Sequence, residues 1–167
     1  ETLEGDRLIA EKNTARRPCA LCSRLRRGRL HGVADRLGCN KIALGQQLDD
    51  LCASLLMSLC RGGGLKTMGP HVPADAGTKE LIRPLCYVSK TRVHQAAREL
   101  GVAVFKSCPY EAALAAHGDR ARFERLLDEL GEDIPDLLQN MLASMKHLEP
   151  DHLLDPRFIE LLRTDGD

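Results

Sequence analysis

Two cysteines three residues apart lie inside a strongly basic stretch near the start of the chain. The segment RRPCALCSRLRRGR, residues 16–29, holds Cys19 and Cys22 among six arginines and contains no carboxylate. Thiolates at this spacing lie on one side of a helix, where both can bind a single soft metal centre. A third thiolate then has to come from elsewhere in the fold. The segment therefore predicts a metal site beside a surface suited to phosphate groups.

Four of these arginines fall on the same predicted helix as the cysteines: Arg24, Arg26, Arg27 and Arg29. Contacts from them to phosphate would hold an RNA loop next to the metal site. Lys66, in a glycine-rich loop further along the chain, is a further candidate for this basic surface. The alternative is a solvated helix face with one or two arginines in salt bridges, as most charge runs are.

The segment GQQLDD, residues 45–50, directly follows the short apolar stretch KIAL. Ligands of open α/β sheets bind beyond the carboxyl ends of the strands, so Gly45 and Gln46 are expected to contact a nucleotide. Asp49 and Asp50 can bind Mg²⁺ together with nucleotide phosphates, or orient an activated base. The alternative is that both aspartates only favour the helix dipole from the first turn.

The seven cysteines are an odd number, and most lie in periodic apolar segments. This pattern argues against a secreted disulfide framework and favours reduced thiols. Four of them are expected to be packed thiols and not ligands: Cys39, Cys52, Cys60 and Cys86. The same interpretation stays open for Cys19 and Cys22, because cysteine is among the most buried residue types.

Composition and length indicate one cored domain of 167 residues, of which 43% are hydrophobic. Lys+Arg and Asp+Glu both total 24, so attraction to nucleic acid depends on where the charges lie. The sequence shows no run of about 18 apolar residues and no signal-peptide pattern. We therefore expect a cytoplasmic protein with no membrane partner.

Apolar periodicity predicts a helix, strand, helix succession of the α/β class. Helices are predicted over 21–37, Leu48–Cys60 and from Ser89 or Thr91 to Leu100, the first and last ended by glycine. Strands are predicted over 41–45, 80–85 and 102–105, with a loop over 65–79. The rest is predicted to be helical, at about 110–130, at 134–148 and in PRFIELLR.

Several segments together carry a family resemblance: CALCSRLRRG, KIALGQQLDD, LIRPLCYVSKTRVHQAARELG, the downstream Cys108 and PDHLLD. In this order they resemble the tRNA 2-thiocytidine synthetase family, ATP-dependent RNA sulfurtransferases of the PP-loop class. The family's Ser-Gly-Gly-x-Asp-Ser loop, which binds pyrophosphate, has no match in residues 1–18. The resemblance therefore implies the C-terminal part of a PP-loop protein. A partial α/β parallel-sheet domain is expected over 1–108 and a helical segment over 109–167.

The resemblance implies 2-thiolation of an anticodon-loop cytidine, at position 32, by adenylation and sulfur delivery from a [4Fe–4S] cluster. It implies Cys19, Cys22 and Cys108 as the cluster ligands, with ATP and Mg²⁺ as further cofactors. Expected partners are tRNA and a sulfur donor such as a cysteine desulfurase, and a homodimer stays open. Without the PP-loop, this chain alone is expected to be an inactive part of the transferase.

Two departures from the family pattern bear on this reading. A second Cys-x-x-C is usual downstream, whereas CPYE has Glu111 in place of the last cysteine, which favours a three-ligand cluster over a closed zinc site. Gln46 and Gln47 replace two family histidines and cannot relay a proton near neutral pH. Two other classes stay open: a catalytically incomplete metal- and RNA-binding module, and a sulfurtransferase acting on another RNA base or a small molecule.

Overall fold

The computed structural model describes residues 18–74, 79–103, 108 and 110–156 of the chain. Helices and strands alternate at first and give way to helices, as the α/β prediction requires. The elements are α1 (Pro18–Arg36), β1 (Lys41–Ala43), α2 (Leu48–Cys60), β2 (His71–Pro73), β3 (Glu80–Ile82), α3 (Lys90–Glu99), α4 (Glu111–His117), α5 (Asp119–Asp133), α6 (Leu137–Ser144) and a 3₁₀ helix (Pro150–His152). Within these ranges no helix is both long and apolar enough to cross a bilayer.

The three strands form a small mixed sheet in the order β1, β3, β2. β1 and β3 are parallel, with Ile42 opposite Leu81, and β2 is antiparallel to β3. The prediction of an uninterrupted loop over 65–79 is wrong, because β2 lies inside it. This strand has only three residues and ends in Pro73, so it carries no apolar alternation that a sequence pattern could reveal.

The core forms around α2, whose apolar stripe was predicted correctly. Leu48, Cys52 and Ala53 are fully buried and pack with Leu127 of α5. Partly buried residues of α6 cover the same cluster: Leu137, Leu138, Met141 and Leu142. The α/β part and the helical part thus share one core, and the division of the chain at residue 108 stays a prediction.

Helix α1 packs against β1 and is tied to the sheet near its C-terminal end. Gly38 has a φ of 65°, the left-handed conformation that ends a helix, and the chain then turns into β1. Near this end Asp35 pairs with the buried Lys79 just before β3. Because α1 runs back along β1, its first turns lie beside the carboxyl end of that strand. The cysteines and arginines of α1 are thereby brought to the GQQLDD segment.

The last part of the chain differs from its predicted helices in two places, at Gly118 and in the helix predicted over 134–148, which forms only over Leu137–Ser144. The predicted helix at 110–130 is divided into α4 and α5 at Gly118, whose backbone is extended and whose position leaves no room for a side chain against the Leu114 carbonyl. Asp136, in the left-handed region with a φ of 56°, precedes α6. The strand predicted over 102–105 does not form at residues 102–103, and residues 104–105, like all but the first residue of the PRFIELLR helix, lie outside the described residues.

Candidate functional site

A cleft of about 770 Å³ opens at the carboxyl ends of β1 and β3. Its walls come from α1, from the segment that follows β1, from the end of β3 and from the start of α5. Six residues that the sequence singled out line it: Cys19, Arg26, Arg27, Gly45, Gln46 and Asp50. The structure therefore joins the cysteine motif, two of the arginines and the predicted nucleotide segment in one space.

Asp50 is held firmly at the wall of this cleft. One carboxylate oxygen, Oδ2, accepts a hydrogen bond of 3.0 Å from the Gln47 backbone N–H and so completes a capping box at the start of α2. The other oxygen, Oδ1, pairs with Nη1 of Arg120 at 3.0 Å. Both carboxylate oxygens are thus engaged within the protein, and because Asp50 lines the cleft, a cation or ligand donor that enters would compete with Arg120 for Oδ1.

Asp49, its neighbour, points to a different element. Its Oδ2 accepts a hydrogen bond of 2.7 Å from the Lys90 backbone N–H, at the first residue of α3. It lines a separate depression of about 510 Å³, together with Glu124 and Asp128. Asp49 therefore joins the start of α2 to the start of α3. These contacts do not support its predicted catalytic role, which stays a prediction.

Replacing Asp49 by alanine should lower the free energy of unfolding by about 1 kcal/mol, because the first N–H of α3 loses its side-chain acceptor. Urea denaturation of the chain measures this change. Asp49→Asn keeps an acceptor oxygen and should retain most of the stability. Equal losses in the two variants would show that the carboxylate charge, and not the hydrogen bond, is what matters.

The cysteines of the basic segment are free and exposed. Cys19 and Cys22 lie one turn apart on α1, and Cys108 is likewise an exposed free thiol. Free thiols are a donor set that suits iron–sulfur clusters. No three His, Cys, Asp or Glu side chains in the described part of the chain form a group that could hold a metal, so Cys108 is not gathered with the α1 pair. The three-cysteine ligand set stays a prediction.

The other four cysteines divide into two kinds. Cys52 and Cys86 are buried, as expected for packed thiols. Burial raises the pKa of Cys52 to about 11, with a smaller contribution from the charge of Asp49, so this thiol stays neutral at physiological pH. Cys39 and Cys60 are exposed, and their expected packing was wrong. They lie at or just past helix ends, where an apolar stripe no longer faces the core.

The remaining predicted basic residues lie outside the cleft lining. Arg24 and Arg29 are exposed on α1, on either side of the two arginines that line the cleft. Lys66 is exposed in the loop after α2, where its backbone N–H donates to the Gly64 carbonyl. A role in RNA binding for these three residues stays a prediction.

Two arginines of the cleft were not assigned from the sequence. Arg83 follows β3 directly, and a charged residue at the carboxyl end of an apolar strand is a signal that could have found it. Arg120, from the start of α5, reaches Asp50 and, with Nη2 at 3.4 Å, the Ser54 hydroxyl. Nothing in the sequence distinguishes Arg120 from the other arginines of that helix.

An α/β fold with its cleft at the carboxyl ends of neighbouring parallel strands is the architecture of ligand-binding α/β domains. Residues 13–107 match the PP-loop domain, and the chain belongs to this family. The α/β class and the PP-loop assignment predicted from the sequence are thereby confirmed.

Relatives with assigned names extend this finding. The chain is 42% identical over 138 residues to a tRNA-cytidine(32) 2-sulfurtransferase of Syntrophotalea carbinolica. This match covers 82% of the chain and 52% of the relative. The chain is 39% identical over 159 residues to one of Pelobacter propionicus, covering 93% of the chain and 58% of the relative. The chain thus spans about half the length of these relatives, and the family resemblance found in the sequence is confirmed.

A solved structure that shares the fold can be compared with the chain. It is the U34-tRNA thiolase NcsA from Methanococcus maripaludis with its [4Fe–4S] cluster, at a TM-score of 0.58 and 23% sequence identity. The match covers 79% of this chain and 45% of the thiolase.

Proposed function

We propose that this chain is part of an ATP-dependent sulfurtransferase that converts cytidine 32 of the tRNA anticodon loop to 2-thiocytidine. The observation that supports this most directly is the cleft, where Cys19, Gln46 and Asp50 face the same space. The curated relatives are named for this reaction. Such an enzyme would act on tRNA in the cytoplasm.

The nucleotide would bind where β1 ends. Gly45 has open space where a side chain would stand, and Gln46 Oε1 is a buried acceptor without a hydrogen-bond partner in the described part of the chain. Asp50 would hold Mg²⁺ with the nucleotide phosphates. The C2 oxygen of cytidine is a poor leaving group, and its adenylation by ATP would convert it into a phosphate-type leaving group that can be expelled as AMP.

The sulfur-transfer side of the cleft begins at Cys19. Cys19, Cys22 and Cys108 would hold a [4Fe–4S] cluster, the group carried by the thiolase that shares this fold. With three thiolate ligands such a cluster leaves one iron without a protein ligand, to which sulfur from a donor such as a cysteine desulfurase can bind. The contribution of this chain is to present Cys19 in the same cleft as the nucleotide segment.

The arginines of α1 would hold the RNA. Arg26 and Arg27 are exposed and line the cleft, and Arg24 and Arg29 lie on the same helix. Phosphate contacts fix the position of an RNA without reading its sequence. An RNA loop held there would place its target base at the cleft, from which unstacking could turn the base inward.

Replacing Arg26 and Arg27 together by glutamine should weaken binding of an anticodon stem-loop RNA and reduce the slope of log affinity against log salt by about one to two. The physical reason is that each lost phosphate contact removes about 0.7–0.9 released counterions. Fluorescence anisotropy over a salt series measures both quantities.

The matched control replaces Arg92 and Arg98, two exposed arginines of α3 that do not line the cleft. It removes the same net charge and should leave the salt slope closer to that of the unchanged chain. Equal slopes for the two double variants would contradict a specific RNA surface on α1.

The reaction itself can be tested in a chimaera, in which this chain is joined to the part of the Syntrophotalea carbinolica relative that it does not span. Incubation with ATP, Mg²⁺, a sulfide source and tRNA should produce 2-thiocytidine at position 32, detected by mass spectrometry of the digested tRNA. Omitting ATP should abolish the product. A chimaera that binds tRNA and a cluster but never thiolates would favour the metal- and RNA-binding module, and thiolation of a different base would favour the other sulfurtransferase class.

A further inference from the structure

Arg83 is a buried cation at the floor of the cleft. It follows the last residue of β3, is only 9% exposed, and lines the cleft. Its Nη1 donates to the Gly69 carbonyl, whereas its Nε is buried and has no hydrogen-bond partner among the described residues.

A guanidinium in this position needs an anion. Burying a charge is costly unless it is paired, and a neutral carbonyl does not compensate it. Arg83 forms no ion pair with any carboxylate of the described ranges. Asp50, the acidic residue of the cleft lining, is already paired with Arg120. The charge of Arg83 is therefore available to a negatively charged ligand entering the cleft.

A second unpartnered atom lies at the end of the neighbouring strand. The Leu44 N–H donates to the Ile82 carbonyl at 2.9 Å, so the chain just past β1 runs beside the end of β3. Gln46 comes two residues after Leu44, and its buried Oε1 accepts no hydrogen bond from the described residues. Arg83 and Gln46 both line the cleft, and each has a buried atom, a donor and an acceptor respectively, without a hydrogen-bond partner among the described residues. A bare phosphate ion satisfies the donor alone, whereas a nucleotide satisfies both through its phosphate and a sugar hydroxyl or exocyclic amine.

We propose that the Arg83 guanidinium binds a nucleotide phosphate at the floor of the cleft, with the Gln46 side chain turning so that its Oε1 accepts a hydrogen bond from the sugar or base. This assignment deepens the proposed function and rests on it for the identity of the ligand. The phosphate can belong to the nucleotide that comes from ATP or to a nucleotide of the tRNA, and binding experiments separate the two sources.

The test is calorimetric titration of the chain and of Arg83→Met with AMP and, separately, with an anticodon stem-loop RNA. Methionine keeps much of the volume and removes the charge, so the affinity for the ligand that supplies the phosphate should fall about tenfold or more. Loss confined to AMP assigns the phosphate to the ATP-derived nucleotide, and loss confined to RNA assigns it to tRNA. The melting temperature should not fall, because an uncompensated buried charge has been removed. Unchanged affinity for both ligands, or no saturable binding of either by the unchanged chain, would overturn the proposal.

Two further variants keep the test decisive. Arg92→Met on the exposed face of α3 removes an equal charge outside the cleft and should bind both ligands normally. If Arg83→Met fails to fold, Arg83→Lys replaces it, since lysine keeps the positive charge but has no Nε–H donor at the same depth. Full affinity in a folded Arg83→Lys variant would exclude the assignment to the guanidinium. None of these measurements uses thiolation, so the proposal about Arg83 can fail or hold independently of the chimaera's activity.

Discussion

Replacing Cys19 by alanine should abolish the broad absorbance at ~400 nm that we expect of the chain when it is purified and reconstituted without oxygen. The variant should also lose the bound iron and sulfide. We expect this result because an incomplete set of thiolates binds a cluster poorly. The same loss is expected for Cys22→Ala and Cys108→Ala. Absorbance spectra with iron and sulfide analysis provide the measurement, and cluster loss should also remove thiolation in the chimaera.

The controls for this experiment are already present in the chain. Cys39 and Cys60 are exposed free thiols like the predicted ligands, but they lie outside the predicted three-cysteine set and, unlike Cys19, do not line the cleft. Their alanine variants should keep the full absorbance. A Cys108→Ala variant that also keeps it would refute the three-cysteine set, because only the α1 pair would then be needed.

Replacing Asp50 by asparagine should lower thiolation by the chimaera on the order of 10²-fold, the largest effect expected of any change outside the cysteines. Asparagine keeps an oxygen for the Gln47 N–H but cannot supply the negative charge that holds Mg²⁺ against the phosphates. The measurement is the initial rate of 2-thiocytidine formation at several Mg²⁺ concentrations. A rate that recovers at high Mg²⁺ would support metal binding by this carboxylate.

Asp49→Asn is the matched control, because it makes the same chemical change one residue away. Its carboxylate contacts the start of α3 and not the cleft, so thiolation should stay within a few fold of the unchanged chimaera. Melting temperatures of both variants separate loss of folding from loss of activity. If Asp49→Asn were the more damaging change, the assignment of the two carboxylates would have to be reversed.

The elements that the sequence predicted best have strong periodicity and clear ends. The bounds of α2 agree with the prediction, and α3 begins after Ser89 and is followed by Gly101 with a φ of 65°. The strand β2 and the break at Gly118 were missed for a shared reason. A three-residue strand and a break at a single extended glycine are both too short to change a pattern of apolar residues.

The composition of the cleft could be predicted in part. The rule that ligands bind beyond the carboxyl ends of strands correctly indicated the position of Gly45 and Gln46 after β1. Helix α1 brings Cys19 to the same cleft. Sequence could not separate Asp49 from Asp50, because neighbours on a helix point about 100° apart and either one can face the ligand. Arg83 was missed because its burial and its Nε–H, unpaired within the described ranges, depend on the fold. An apolar pattern shows an arginine only as a polar residue within a strand.

The pairing of Asp50 with Arg120 also determines which cations the cleft can accept. A metal ion that binds Oδ1 of Asp50 has to displace the Arg120 guanidinium, so the carboxylate exchanges one cation for another. The net gain for a lone divalent ion is therefore reduced by competition from the protein's own arginine. A cation that arrives with its own negatively charged phosphates meets a different balance, since the displaced Arg120 can then pair with those phosphates. If Asp50 holds Mg²⁺ as proposed, the cleft should therefore favour metal that enters already bound to a nucleotide over free metal ions.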